Sequence, residues 1–412
     1  MHSASASASA PSPPGSVRRH ARNISLEAAV HDPLAASAPP TSAPTPPPLQ
    51  PPDTVLPERP RPTVDLRFLQ NPDTYHALTT EDIPTAFLNS SHTPPSHASL
   101  PHLLQAGHFR RAADASLKTI FQCMPDATEE ILSLLYTRLA CLILISRPDL
   151  AAAEAVPLTD VLARNTAAAQ DLVPLIPWPL RLLLVRLQSI GAADGGRRGI
   201  MALYALAGEV RHQLRSAQAA QNDSETALWS DRLHDLGLRV CDALVEMGEL
   251  ETATRHLGTL LNVERDELAY RKALLRMRLG DVGGARRSAS RLVDEERKRS
   301  FEALLQVADA DYDHAVQSWQ SLLADQPHEM FALNAAVSLL YTGRITSARD
   351  VLEDLAHQLP IFPTLLFNLA TVYELCTERA AERKTSLAIQ AAARNPGPES
   401  GGWERASFEF KL

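Results

Sequence analysis

A small residue followed five positions later by alanine recurs four times in the C-terminal half of this chain. The pairs are Gly248/Ala253, Gly280/Ala285, Ala310/Ala315 and Gly343/Ala348, at steps of 32, 30 and 33 residues. Other positions keep the same register. Cys241, Ala273, Ala303 and Ala336 stand seven before the turn residue, and Leu260, Leu292, Leu322 and Leu355 stand twelve after it. Pro327 and Pro360 follow the last two turn residues at seventeen. Antiparallel helices approach closely only where small side chains meet. The turn residue must stop the first helix in a left-handed conformation, and a proline ends the second. The expected fold is a right-handed stack of antiparallel helix pairs.

The period and its small-residue positions resemble those of tetratricopeptide repeats. The predicted fold class is therefore all-α, an α-solenoid of tetratricopeptide-like helix pairs with a disordered N-terminal extension. Proline placement agrees. Of 31 prolines, 15 lie in residues 1–62 and none between Leu180 and Gln326. A long proline-free stretch rich in Leu, Ala, Arg and Glu reads as successive helices. Glycine is scarce, 17 in 412 residues, which disfavours a hairpin-rich β fold.

Five regions follow. Residues 1–62, Ser/Ala- and Pro-rich, lack the apolar surface to offset ordering entropy and are expected to be disordered. Arg18, Arg19 and Arg22 precede any acid, but three prolines by residue 14 and no apolar stripe argue against a targeting peptide. Residues 63–98 read as an extended or partly helical segment along the folded body. Residues 99–230 read as irregular helical repeats. Gly107/Ala112 repeats the pattern and Pro148/Ala153 fits it in part; Pro174 to Pro179 interrupts the array, and Ser216–Thr226 reads as a longer loop. Residues 231–396 hold the regular repeats. In the last of these Glu382 stands where alanine is expected, as suits a capping unit. Residues 397–412 form an extended tail.

Little in the sequence points to catalysis. There is no phosphate-binding glycine loop, dinucleotide fingerprint, zinc-protease motif or nucleophile elbow. No cofactor and no metal site is expected, and the chain reads as a non-enzyme. His92, His97, His102 and His108 recur at five and six, but Pro94, Pro95 and Pro101 interrupt them and they read as loop histidines. The four cysteines are scattered, which fits buried thiols in a reducing compartment. Cys241 occupies a helix-crossing position, as a small core residue would. Leu134–Ile145 is apolar but broken by Arg138 and too short to span a bilayer. The net charge of −8 gives no reason to expect nucleic-acid binding.

Two candidate partner-binding patches remain. Between Arg271 and Arg291 lie seven basic residues, Arg271, Lys272, Arg276 and Arg278 among them, against the single acid Asp281. Such a cluster suits an acidic partner, anionic lipid or phosphate, or else a solvated face balanced by Asp294, Glu295 and Glu296. In the tail, Trp403 is followed by Phe408, Phe410 and Leu412 alternating with polar residues. Period-2 alternation suits a strand with one buried face. Two readings stay open: a cap on the last helix, or a segment that docks on a partner.

Trp178-Pro179-Leu180-Arg181-Leu182-Leu183, the register that follows, and Phe367 to Leu375 (FNLATVYEL) resemble subunit 12 of the transport protein particle (TRAPP) complex, over roughly residues 100–412. The resemblance implies a non-catalytic subunit of the TRAPP III assembly, a guanine-nucleotide exchange factor for a Rab-family GTPase in ER–Golgi traffic and autophagy. It further implies contact with the other TRAPP subunits, especially the large subunit 11. It places the protein in the cytoplasm, peripherally on early secretory (ER–Golgi and Golgi) membranes. The alternative is a tetratricopeptide co-chaperone or peptide-binding adaptor. Asn334 and Asn368, at equivalent positions in successive units, suit a carboxylate clamp, but matching basic residues are not evident.

Overall fold

The computed structural model describes residues 64–95, 97–164, 166–190, 196–260, 263–394, 397, 403–405 and 410–412. The stretch 1–62, read above as a disordered tail, lies outside the described residues, as does Phe408. Among the described residues the secondary structure is helical, without strand.

The N-terminal segment carries short 3₁₀ turns and the single-turn α1 (Thr85–Leu88), then α2 (Leu100–Gln105), α3 (Phe109–Gln122), α4 (Thr128–Leu144) and α5 (Pro148–Ala163). The middle contains α6 (Ala167–Leu172), a 3₁₀ turn at Val173–Leu175, α7 (Trp178–Ser189), and the long α8 (Arg197–Ala219) and α9 (Asp223–Glu246). The regular array follows as α10 (Leu250–Thr259), α11 (Arg265–Arg278), α12 (Val282–Ala289), α13 (Glu295–Ala308) and α14 (Tyr312–Asp325). It ends with α15 (Glu329–Tyr341), α16 (Ile345–Gln358), α17 (Pro363–Cys376) and α18 (Ala380–Ala392). From α8 onward each helix packs on its sequence neighbour, as a helix-pair solenoid requires.

One backbone device makes seven of the turns, including the four of the regular register. Gly107, Ser146, Gln221, Gly248, Gly280, Ala310 and Gly343 all have φ between 54° and 80°. At each, the turn residue donates its N–H to the carbonyl three residues back, and the next residue donates to the carbonyl five back, as in Gly248 to Val245 and Glu249 to Leu244. This double bond satisfies carbonyls that a helix end otherwise leaves open. The alanines five positions beyond the turn, Ala253, Ala285, Ala315 and Ala348, are completely buried, and their counterparts at minus seven are also buried. Cys241 Sγ lies 4.0 Å from the Ala253 carbonyl, so the two register positions meet where the helices cross.

Two details differ from the sequence reading. The turn after α4 is made by Ser146, and the buried alanine five residues on is Ala151; Ala153 is exposed. Pro148 instead opens α5, where its missing N–H costs nothing. The stretch Ser216–Thr226 is mostly helical, because Gln221 adopts the left-handed conformation and compresses the turn to Ala220–Asn222. The turn before α18 has Thr377 in an extended conformation, and Glu382 is exposed.

Two large cores lie at the ends of the array. One joins α2–α5 and α7 to Leu66 and Leu69 of the N-terminal segment. The other joins α15–α18 to Ile83 and Phe87 and to the tail residues Trp403 and Phe410. The segment before α2 therefore contacts both. Tyr75 and His76 lie against the first core; Ser90 donates to the Ala392 carbonyl at 2.6 Å, and His92 Nε2 lies 3.0 Å from that of Ala393.

Candidate partner-binding surfaces

The tail candidates are taken up by the chain itself. Trp403 stacks on Phe87 with ring centroids 5.1 Å apart, and Phe410 meets the same ring edge-on at 5.3 Å. Both are buried, and Leu412 is half-buried against the same core. Lys411 pairs with Glu374 at 2.7 Å, above the Phe367 ring. Glu404 then reaches the start of α3, 294 residues earlier, where its Oε2 accepts the N–H groups of Arg110 and Arg111 at 2.8 and 3.2 Å. The first amides of a helix have no partner within it, and the helix dipole favours a carboxylate there. Its Oε1 lies 3.3 Å from Arg111 Nε and 3.4 Å from His108 Nδ1. Of the two readings left open for the tail, this arrangement is that of a cap. The described tail residues form no strand, and Phe410 sits in a helical turn ended by Lys411 at φ 57°.

The basic cluster does not converge on one point. Arg271 pairs with Glu267 at 2.7 Å and Asp242 at 3.2 Å, on the side facing α9. Arg278 lines the same shallow depression, one helical turn beyond Leu274. Arg276 points the other way, donating to the Gly284 carbonyl and to Ser288 Oγ on α12. Lys272 lies beside it; burial, then the charges of Arg276 and Arg291, hold its ammonium below the ordinary value. Arg286 pairs with Asp309 at 2.7 Å. Helical geometry splits the run because residues 271 and 278 share a face that 272 and 276 do not.

A third feature was not singled out from the sequence. A cleft of about 1080 Å³ opens where the proline-rich break meets α4, α8 and α9. Its floor carries Trp178 and Trp229, both half-buried, and Arg232 places its guanidinium 4.8 and 4.6 Å from their ring centroids. Burial, and then Arg181, lowers the Arg232 pKa. Arg181 is itself paired with Glu209. Asp126, Glu129 and Glu130, all exposed, form one edge. The residues that build this cleft span positions 126 to 232, so no local spacing marks it.

Among the described residues no group of three or more His, Cys, Asp or Glu is placed to hold a metal ion. No single helix there is long and apolar enough to cross a membrane.

With that geometry in place, the chain can be set beside known proteins. No protein-family model matches it. Trafficking protein particle complex subunit 12 of Mus musculus is 33% identical over 99 residues, 23% of this chain and 12% of that protein. The Homo sapiens protein of the same name is 32% identical over 99 residues, covering 23% and 13%. This chain resembles TRAPP subunit 12. The match spans about an eighth of the length of those relatives. Among solved structures, a tetratricopeptide repeat protein from Parabacteroides merdae aligns with TM-score 0.37 and 15% identity, over 64% of this chain and 99% of that one. The Cut9 and Hcn1 hetero-tetramer of the APC/C aligns with TM-score 0.31 and 14% identity, over 72% and 68%.

Proposed function

We propose that this chain is a non-catalytic scaffold subunit of the TRAPP III assembly, which tethers vesicles and catalyses nucleotide exchange on a Rab-family GTPase in ER–Golgi traffic and autophagy. The observation that carries this reading is the 33% identity to TRAPP subunit 12 over 99 residues, in a chain built of helix-pair repeats. Such repeats present extended surfaces to partners and need no reacting groups of their own. On this reading the partners are other TRAPP subunits, above all the large subunit 11. The Rab GTPase and early secretory membranes are reached through the complex, and the protein is cytoplasmic and peripherally membrane-associated. The adaptor alternative gains no support from Asn334, whose amide donates to the Met330 carbonyl of its own helix at 2.9 Å. Size-exclusion chromatography of the full chain mixed with purified subunit 11 from the same organism tests the proposal. Co-elution in a fixed ratio is expected, and two independent peaks at micromolar concentration would count against it.

A further inference from the structure

The cleft between α4, the Val173–Leu175 turn, α8 and α9 has a chemistry that the scaffold role does not explain. Its floor is apolar and ringed, with Pro174, Pro177, Trp178 and Trp229 exposing side-chain surface together. Of the four tryptophans, Trp319 and Trp403 are buried in cores. The two that keep part of their surface open are the two whose rings Arg232 contacts. At about 1080 Å³ the cleft exceeds the roughly 300–1,000 Å³ typical of small-molecule pockets. Its charge is lopsided. Arg181 is matched by Glu209, and Arg232, still charged against the indoles, offsets one of Asp126, Glu129 and Glu130, so the lining keeps an excess of two carboxylates on its acidic edge.

We propose that this cleft docks an extended, proline-rich segment of a partner protein whose arginines meet the acidic edge. A polyproline II strand repeats every three residues, about 9 Å, with its backbone already ordered. It therefore lays proline rings on aromatic faces at small entropic cost, the recognition mode of aromatic-lined grooves. Residues between the prolines point away from that floor, and arginines there reach Glu129 and Glu130 at the start of α4. Arginine also stacks on indole, as Arg232 already does. The inference rests on the cleft alone and stands or falls independently of TRAPP membership.

The test is a titration of the full-length chain with a fluorescein-labelled dodecamer of Pro-Pro-Arg repeats, read by anisotropy and by intrinsic tryptophan emission. Saturable binding is expected, with a blue shift of emission as water leaves Trp178 and Trp229. Trp229→Ala should weaken binding about tenfold or more, as loss of an aromatic anchor does. Glu129→Lys/Glu130→Lys, a surface change that spares the core, should weaken it severalfold and remove most of its salt dependence. A peptide with glutamate in place of arginine should fail to bind. Equal affinity in wild type and both variants, or equal binding of the two peptides, overturns the proposal. The chain itself carries Pro57-Glu58-Arg59-Pro60-Arg61-Pro62, and Thr128, on the cleft's lining, donates to the Val64 carbonyl. Binding that emerges only after Arg59→Glu/Arg61→Glu in the full chain would assign the cleft to that segment and overturn the partner reading.

Discussion

Arg138 and Glu154 are both completely enclosed, and they meet in a two-bond ion pair, Nε to Oε2 at 2.7 Å and Nη2 to Oε1 at 2.8 Å. The pair is fully coordinated. Arg138 also donates to the carbonyls of Ala113 and His76, and Glu154 accepts the His76 N–H at 2.9 Å. One network thus ties α3, α4, α5 and the N-terminal segment together. Arg138 Nη1 also lies 3.6 Å from Asp114 Oδ1, so it is loss of the arginine that strands a charge, the enclosed Glu154 carboxylate. Arg138→Met should therefore cost about 3–5 kcal/mol in urea unfolding, while Arg138→Met/Glu154→Leu should cost much less. A double variant as unstable as the single one would show that the polar network itself, and not the stranded charge, sets the loss.

The tail offers a second prediction. Trp403 and Phe410 fill the core under α1 and α18, and Glu404 caps α3. Phe410→Ala should lose about 3–5 kcal/mol, the usual cost of emptying an enclosed aromatic site. Truncation after Gly402 should lower the melting temperature at least as far. An unchanged melting temperature in the truncated chain would mean that the tail does not cap the array.

The turns predict opposite effects for apparently similar changes. Gly248 has φ 80° and no atom within 4 Å of where a Cβ would stand, so Gly248→Ala meets strain but no clash. Ala310 already holds φ 62° with its Cβ present. A left-handed conformation costs an L-residue about 1–2 kcal/mol. Accordingly, Gly248→Ala should destabilise by about 1 kcal/mol and Ala310→Gly should stabilise by a similar or smaller amount, measured by chemical denaturation. If both changes destabilise equally, turn strain is not what these positions share.

This comparison also marks how far the fold could be read from sequence. Five turns, Gly107 and the four of the regular register, were legible because Gly or Ala at the turn was followed five positions later by alanine, which the structure buries. Ser146 and Gln221 make the same turn with the same two hydrogen bonds, yet neither residue type announces a left-handed conformation. Arg138 stood out as a break in an apolar run, but its partner lies on the next helix and only the packing of α4 on α5 brings them together. Glu404 and Arg110 are joined across 294 residues of sequence, a separation no periodicity encodes. The basic run at 271–291 was legible as composition, whereas its division between two faces depended on where α9 and α12 pack.

The buried thiols give a pH prediction. Burial pushes Cys141 up to about 12, with Arg138 pulling it down and Glu404 adding to the rise; burial and then Asp242 raise Cys241 to about 11. In the unfolded chain a thiol titrates near roughly 8.5. Both raised values mean that the unfolded state loses its protons first, so stability is unaffected below about pH 8 and falls as pH rises toward 11. At pH 10 the loss should be about 1–2 kcal/mol per thiol, and Cys141→Ala/Cys241→Ala should flatten the decline between pH 8 and 10. Equal declines in wild type and variant would show that other groups carry the alkaline limb.

The most direct test of complex membership is affinity purification of the epitope-tagged full chain at its native expression level, with quantitative mass spectrometry of what accompanies it. The account predicts recovery of the TRAPP subunits, subunit 11 included, in near-equal amounts that survive a salt wash. Recovery of chaperones with no TRAPP subunit above the untagged control would contradict it.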